Sequence, residues 1–160
     1  MPRIATIGFF DGVHRGHRFL FAQLHEHAKH HQLTPAIYTF DCHPKELLTG
    51  QAPAMLTTHD ERKALLQNYG EVHFLDFAAV QQLTAEQFMC YLKEHEGVDT
   101  LLMGYDHHFG KPREGEGFEQ YARYGQALGM ELFMASPFVV MALKSSPLFP
   151  IIIMSSIVSL

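Results

Sequence analysis

The sequence predicts an α/β fold, an open parallel sheet with helices on both faces, because apolar strand-like runs alternate with amphipathic helical segments. The strand-like runs lie at residues 4–9, 36–40, 72–76, 98–103 and 130–135. A segment long enough to form a helix separates each run from the next. This is the order expected of parallel strands, which need crossover connections.

Boundary signals support the helical segments. Thr58 with Glu61, and Thr84 with Gln87, have the spacing of capping boxes at helix starts. Glycines that favour helix ends stand at Gly70, Gly97 and Gly129. The apolar positions expected to face the core are Leu20, Leu24, Ala28, Leu65, Leu66, Tyr69, Phe88, Leu92, Phe118, Tyr121 and Leu128.

Length and composition indicate one globular domain that takes small ligands. The chain has 160 residues, 47% of them hydrophobic, which is enough for a core. A formal net charge of −5, with no basic stripe, argues against nonspecific binding to nucleic acid. Two isolated cysteines and an amino terminus unlike a signal peptide lead us to expect a cytoplasmic protein that does not bind membranes.

Residues 8–17, with the sequence GFFDGVHRGH, join the first strand to a helix that begins near Arg15. His14 and His17 stand three positions apart, so we expect both at one face of an exposed helix start. A helix start offers unpaired N–H groups and the positive end of the helix dipole, both of which attract phosphate. The glycines that permit tight turns and close approach of a ligand are Gly8, Gly12 and Gly16. The stretch therefore predicts a phosphate site.

This H-x-G-H element is neither a G-x-x-x-x-G-K-[ST] loop nor a G-x-G-x-x-G fingerprint. Its imidazoles take the place of the lysine in the first of those motifs. Hydrogen-bond donors of this kind stabilise the charge that develops on a phosphate during displacement. The alternative is a pair of surface histidines with no ligand, which the flanking glycines disfavour.

Polar motifs follow the first, second and fourth predicted strands. Residues 40–44 (FDCHP) follow the second strand, and residues 104–110 (GYDHHFG) follow the fourth. Ligands of open parallel sheets bind at the carboxyl ends of the strands, where the strand order reverses. Taken singly, His43 is equally well a loop histidine, and Asp106 is equally well a turn residue. Together, the three motifs predict one cleft for two phosphorylated ligands.

These motifs resemble those of the amino-terminal adenylyltransferase module of prokaryotic riboflavin kinase/FAD synthetases, a member of the H-x-G-H nucleotidyltransferase superfamily. The resemblance runs from residue 4 to about residue 136 and rests on IGFFDGVHRGHRFL, TFDCHP, LTTHDERKALL, LTAEQF and MGYDHHFGKPREG, which are in family order. It implies a Rossmann-like domain that transfers AMP from ATP to FMN, giving FAD and pyrophosphate with Mg²⁺.

The resemblance also implies roles for individual residues. His14 and His17 would be the catalytic groups, in contact with the triphosphate. The ATP site would comprise Gly8, Phe9, Asp11, Gly12, His14, Gly16, His17, Gly104 and Asp106. The FMN site would comprise Phe40, His43, Pro44, Asp106, Phe109 and Gly110. Asp106 is the one candidate for a direct metal ligand.

Residues 138–160 depart from the family. The family has a Ser-Ser-x-x-x-Arg segment after the fifth strand, whose hydroxyls and arginine contact the ATP phosphates, and then a separate riboflavin kinase barrel. Here the segment holds one lysine, no carboxylate and no arginine, so neither of its Ser-Ser pairs completes the motif. We expect residues 1–137 to form the adenylyltransferase domain. Residues 138–160 are then an atypical apolar tail from a truncation or frameshift, with the kinase domain absent.

Three functions remain open from the sequence. The first is an FMN adenylyltransferase impaired by the missing arginine. The second is an inactive fragment that binds ATP or FMN without turnover. The third is an H-x-G-H nucleotidyltransferase for another phosphorylated substrate. The motifs assigned to the flavin favour the first.

Overall fold

The computed structural model describes residues 1–105, 107–108, 113–142 and 151–154, which include a five-stranded parallel sheet. The strands of this sheet are β1 (Arg3–Ile7), β2 (Thr34–Phe40), β3 (Glu71–Leu75), β4 (Val98–Met103) and β5 (Glu131–Met134). Their order is β3-β2-β1-β4-β5, and every neighbouring pair is parallel. All five predicted strands are present with small shifts at their ends, so the predicted sheet is confirmed.

Six α-helices lie within the described residues. They are α1 (Arg15–His31), α2 (Pro44–Thr49), α3 (His59–Leu66), α4 (Phe77–Val80), α5 (Ala85–Glu94) and α6 (Phe118–Leu128). A short 3-10 helix, Asp11–Val13, precedes α1. Both predicted capping boxes are formed, at the starts of α3 and α5. α2, α4 and the 3-10 helix were not predicted from the sequence, because segments of three to six residues are too short to show an apolar period.

The two faces of the sheet carry separate apolar cores, because alternate residues of a strand point to opposite sides. One core combines strand residues with α5 and α6 and includes Ala5, Tyr38, Leu101, Phe88 and Tyr121. The other combines strand residues with α1 and α3 and includes Ile4, Ile37, Leu102, Leu24 and Leu66. Helices therefore cover both faces, as predicted.

One predicted core position on α3 is wrong. The side chain of Leu65 is 39% exposed, whereas Leu66 is fully buried. Arg62 lies four positions before Leu66, on the same side of the helix, and is 2% exposed. The buried stripe of α3 therefore contains an arginine, and this turns Leu65 toward solvent.

The segment after β5 adds two strands outside the main sheet. β6 (Val139–Ala142) and β7 (Ile151–Met154) pair with each other in antiparallel orientation. Within the residues that the structure covers, neither strand joins the five-stranded sheet. Among all the residues that the structure describes, no helix has the length and apolar character needed to cross a bilayer.

Candidate functional site

The three segments that carry the predicted motifs begin at the same side of the sheet, at the carboxyl ends of their strands. β2, β1 and β4 are adjacent and parallel, so the segments that follow them leave from neighbouring strand ends. The chain runs outward from β1 through β2 to β3 and then returns to place β4 on the other side of β1. The strand order therefore reverses between β1 and β4, where open parallel sheets bind their ligands.

The loop after β1 has an unusual backbone. Phe10, Gly12 and Val13 all have positive φ values, of 56°, 68° and 44°. Residues other than glycine rarely adopt this left-handed backbone conformation, and those that are held in it cluster at functional sites. The turn places the Phe10 ring against the His17 ring, with 5.2 Å between their centroids.

The two histidines of the motif form a stacked pair. The ring centroids of His14 and His17 lie 3.5 Å apart, at an interplanar angle of 23°. His14 is the N-cap of α1, and its Nδ1 accepts a hydrogen bond from the backbone N–H of His17 at 3.4 Å. A neutral His14 ring therefore carries its proton on Nε2, which becomes its donor.

The two rings differ in environment, which corrects one expectation. His14 is exposed, as predicted for a helix start, but His17 is only 6% exposed and packs against Phe10 and Phe21. Burial, followed by the neighbouring His14, lowers the pKa of His17 to about 3, although Asp11 acts in the opposite direction. Burial also lowers the pKa of His14. Without a ligand, His17 is therefore neutral at neutral pH.

The low pKa of His17 predicts a specific loss of stability in acid. The unfolded chain binds a proton to this ring near pH 6.5, whereas the folded chain does so only near pH 3. The stabilising effect is complete above pH 6.5 and is lost as the pH falls toward 3. Lowering the pH from 7 to 5 should therefore reduce the free energy of unfolding through His17 by about 2 kcal/mol.

Urea unfolding of the wild type and of His17→Gln at both pH values measures this effect. The wild type should lose more stability than the variant on acidification. Burial also lowers the pKa of His107, to about 4, but that residue is the same in both proteins. Equal losses would show that His17 is not responsible.

Asp11, in the same loop, is held by the chain itself. Its Oδ2 accepts the backbone N–H of Leu56 at 2.8 Å. Its Oδ1 accepts the backbone N–H of Thr57 at 2.9 Å and the Thr57 hydroxyl at 2.6 Å. Partial burial acts to raise the pKa of Asp11, but these hydrogen bonds and the charge of Arg62 lower it below its usual value. The carboxylate thus fixes the segment before α3 on the loop.

A pocket of about 430 Å³ opens beside this loop. Its walls are Phe9 after β1, the segment 41–46 after β2, and the segment 53–62 that leads into α3. Met55 and Leu56 are exposed at 40% and 77%, so the pocket combines apolar side chains with polar groups. Such a mixture suits an aromatic ligand with polar substituents.

His43 presents its ring to the pocket and repeats the arrangement of His14. It is the N-cap of α2, and its Nδ1 accepts the backbone N–H of Lys45 at 3.0 Å. The neutral ring therefore carries its proton on Nε2. The His43 and Phe9 ring centroids lie 4.6 Å apart, which joins the segments after β1 and β2.

Arg62 is a buried cation in the wall of the pocket. Its Nη2 donates to the Phe40 carbonyl oxygen at 2.6 Å, and its guanidinium lies 3.9 Å from the centroid of the Phe9 ring. Nε is buried and has no hydrogen-bond partner among the described residues. Burial lowers the pKa of Arg62, and Asp11 and Asp41 oppose that effect. An arginine nevertheless stays charged.

Comparison with known proteins gives the family of this chain. Residues 1–146 match the family model described as FAD synthetase. The chain belongs to the FAD synthetase family. The resemblance inferred from the motifs is thereby confirmed.

The FAD synthetase relatives of this chain are longer proteins. It is 36% identical over 143 residues to the bifunctional riboflavin kinase/FMN adenylyltransferase of Escherichia coli, and 35% identical over 133 residues to that of Pseudomonas fluorescens. These alignments cover 84% and 80% of this chain but 44% and 43% of the relatives, so the chain spans less than half their length.

A solved structure supports the FAD synthetase fold seen here. It is described as a macrolide-efflux protein from Streptococcus pneumoniae and superposes with a TM-score of 0.73 at 26% identity. The match covers 85% of this chain and 45% of that one.

The structure brings only some of the expected FAD synthetase site residues into the pocket. Phe9 and His43 line it, whereas Phe40 and Pro44 are buried and are not among its lining residues. Among the remaining residues, His14 and His17 lie outside its lining, at the start of α1. Gly8, Gly16 and Gly104 are buried in the backbone framework. Asp106, Phe109 and Gly110 lie outside the described residues.

Sequence reasoning missed the third wall of the pocket, the segment 53–62. Residues 56–62 belong to the LTTHDERKALL motif, which by itself assigns none of them to a ligand. A signal was present, because Arg62 precedes Leu66 by one helical repeat and so shares the apolar face of α3. A charged residue on a buried face requires a partner, which indicates a functional or structural contact.

Proposed function

We propose that the chain is an FMN adenylyltransferase, an enzyme that transfers AMP from ATP to FMN and releases pyrophosphate. The observation that carries the proposal is the stacked pair of His14 and His17 at the start of α1, where the strand order reverses. Family membership supports the substrates, because the relatives are described as riboflavin kinase/FMN adenylyltransferases.

ATP binds along the loop after β1 in this proposal. The residues assigned to its site are Gly8, Phe9, Asp11, Gly12, His14, Gly16, His17, Gly104 and Asp106. The triphosphate lies against the imidazoles at the start of α1, where N–H groups and the helix dipole favour an anion. A triphosphate beside the rings also favours their protonated forms, which opposes the effect of burial on the pKa of each ring.

FMN binds in the pocket on the β2 side. The residues assigned to its site are Phe40, His43, Pro44, Asp106, Phe109 and Gly110. The apolar wall of Phe9, Met55 and Leu56 suits the flavin ring system, and the Nε2–H of His43 suits its phosphate. Phe40 and Pro44 contribute by shaping the segment that carries His43.

The reaction is one in-line displacement. An oxygen of the FMN phosphate attacks the α-phosphorus of ATP and forms the new P–O bond of FAD. The bond between the α-phosphorus and the oxygen that it shares with the β-phosphorus breaks, and the electron pair of that bond leaves with pyrophosphate. The attacking oxygen is already anionic near neutral pH, so no general base is needed. His14 and His17 stabilise the developing charge and position the phosphates.

Magnesium accompanies ATP in this proposal. Within the part of the chain that the structure describes, no group of three or more His, Cys, Asp or Glu side chains is arranged to hold a metal ion. The carboxylate of Asp11 is also engaged by Leu56 and Thr57. Mg²⁺ is commonly held through substrate phosphates, so we propose that it enters as the ATP complex. Asp106 is the candidate that we propose for a direct protein ligand of the metal.

The proposal includes the organisation and location of the chain. We assign the adenylyltransferase domain to residues 1–137 and the location to the cytoplasm. Residues 138–160 contain no arginine to bind the ATP phosphates. Loss of one preorganised donor lowers rates by roughly 10²- to 10³-fold, so we expect slow but measurable turnover.

Incubation with ATP, Mg²⁺ and FMN, followed by chromatography for FAD, tests the function. FAD should accumulate in proportion to enzyme, and replacement of FMN by riboflavin should abolish the product, because riboflavin lacks the attacking phosphate. Flavin binding without FAD at high enzyme concentration would instead indicate a noncatalytic fragment. Transfer of AMP to glycerol phosphate but not to FMN would indicate a different substrate.

A further inference from the structure

The segment of residues 53–62, here called the bridging segment, contacts both proposed substrate sites. It forms one wall of the pocket assigned to FMN and includes the first half of α3. It also packs over the loop assigned to ATP, because a Cβ atom added at Gly12 would lie 2.8 Å from Leu56. The segment therefore reaches from one site to the other.

The end of the bridging segment nearest the ATP loop is fixed by Asp11. Three hydrogen bonds connect its carboxylate to Leu56 and Thr57, at 2.6 to 2.9 Å. A fourth contact runs from the backbone N–H of Gly12 to the Thr57 hydroxyl at 3.4 Å. Leu56 and Thr57 are themselves part of the pocket wall, so a residue of the ATP loop fixes the shape of the flavin pocket.

The other end of the bridging segment is fixed by Arg62. This side chain donates to the carbonyl group of Phe40 at the end of β2, and it stacks on Phe9 in the segment after β1. The capping box of Thr58 and Glu61 sets the start of α3 between the two anchors. Arg62 and the capping box hold the start of α3 in place. If the contacts with Asp11 were lost, residues 53–57 would therefore move relative to α3, and the pocket wall would change shape.

Charge argues against direct binding of the triphosphate by Asp11. A carboxylate has about four acceptor positions, and three of those of Asp11 are filled by Leu56 and Thr57. The group has no proton to donate, and its negative charge repels phosphate. Its free energy contribution therefore comes from the protein contacts that it makes.

We propose that Asp11 is a positioning residue for FMN, acting through the bridging segment, although it lies in the loop that binds ATP. This inference rests on the proposed function. Asp11 then belongs to the ATP site through its place in the loop and not through contact with the triphosphate. Removal of its carboxylate should weaken the binding of FMN and leave that of the nucleotide unchanged.

Equilibrium binding to Asp11→Asn separates the two roles. The probes are FMN and α,β-methylene ATP, each titrated alone by calorimetry. Asparagine keeps the volume of the side chain. Its NH₂ group, however, is a donor that cannot accept the hydrogen bond from the Leu56 N–H. The dissociation constant for FMN should rise by up to roughly tenfold, because the lost hydrogen bond to a charged group no longer holds the pocket wall in the shape that binds FMN. That for the ATP analogue should not rise.

Glu26→Gln is the matched control, because it makes the same charge change at an exposed position of α1. Its affinities should equal those of the wild type. Weaker binding of the ATP analogue by Asp11→Asn, with FMN unaffected, would overturn the proposal. So would an equal weakening of both ligands, which a purely structural defect produces.

Amide exchange at Leu56 and Thr57 without any ligand keeps this inference separate from the proposed function. Exchange should be faster in Asp11→Asn than in the wild type or Glu26→Gln, because the carboxylate no longer holds these N–H groups. Unchanged exchange would overturn the inference. If the wild type binds no FMN, the proposed function fails, and the exchange rates still decide whether Asp11 anchors the bridging segment.

Discussion

Replacing His14 with asparagine is expected to reduce FAD formation by about two to three orders of magnitude, the effect of removing one preorganised donor. Asparagine is a good N-cap, so α1 keeps the cap that His14 Nδ1 now provides to the His17 N–H. The loss should therefore appear in kcat, with little change in the melting temperature. Steady-state rates over a range of ATP and FMN concentrations separate the change in kcat from any change in KM.

His25→Asn is the control for this substitution. His25 is exposed further along α1, away from the helix start that carries His14 and His17, and His25→Asn makes the same change of side chain. Its turnover should match the wild type. If His14→Asn retains turnover within about twofold, His14 is not a catalytic residue.

Replacing Arg62 with methionine is expected to lower the free energy of unfolding by about 2 kcal/mol. Methionine keeps most of the stem volume but leaves the Phe40 carbonyl without its donor, and an unpaired buried acceptor costs about 1–3 kcal/mol. The contact of the guanidinium with the Phe9 ring is lost as well. Urea unfolding at pH 7 measures the difference.

Lys63→Met provides the comparison for Arg62→Met. Lys63 is the next residue of α3 and is exposed, so loss of its charge should change stability by less than about 0.5 kcal/mol. Equal stability of Arg62→Met and the wild type would show that removal of a buried cation offsets the lost contacts. The structural role assigned to Arg62 would then be wrong.

The sheet and the placement of the motifs could be predicted because their signals are local. Strand-like runs, capping boxes and the glycines around His14 each depend on a few consecutive residues. Parallel strands bring their carboxyl ends to one side of the sheet, so the segments after β1, β2 and β4 begin there. The strand order alone places these starting points next to one another, without any knowledge of side-chain contacts.

The burial of His17 could not be predicted from the sequence. It depends on Phe10, which adopts a left-handed backbone conformation and turns its ring onto His17. Nothing in the local sequence marks a phenylalanine for that conformation, because only tertiary contacts make it stable. Helical spacing places His14 and His17 together but does not say which ring lies inside.

The contacts of Asp11 and the third wall of the pocket depend on residues far apart in the sequence. Asp11 binds Leu56 and Thr57, and Arg62 binds the carbonyl group at Phe40. These contacts form only after α3 packs beside the loop after β1. A single sequence shows that such residues are polar or buried but not which of them meet.

Nuclear magnetic resonance of the histidine rings, with and without ATP and Mg²⁺, tests most directly whether the stacked pair binds the triphosphate. Phosphate anions beside the rings should raise the pKa of His14 and shift the ring signals of both His14 and His17. Nucleotide binding that leaves both rings unchanged would place the triphosphate elsewhere and contradict the account.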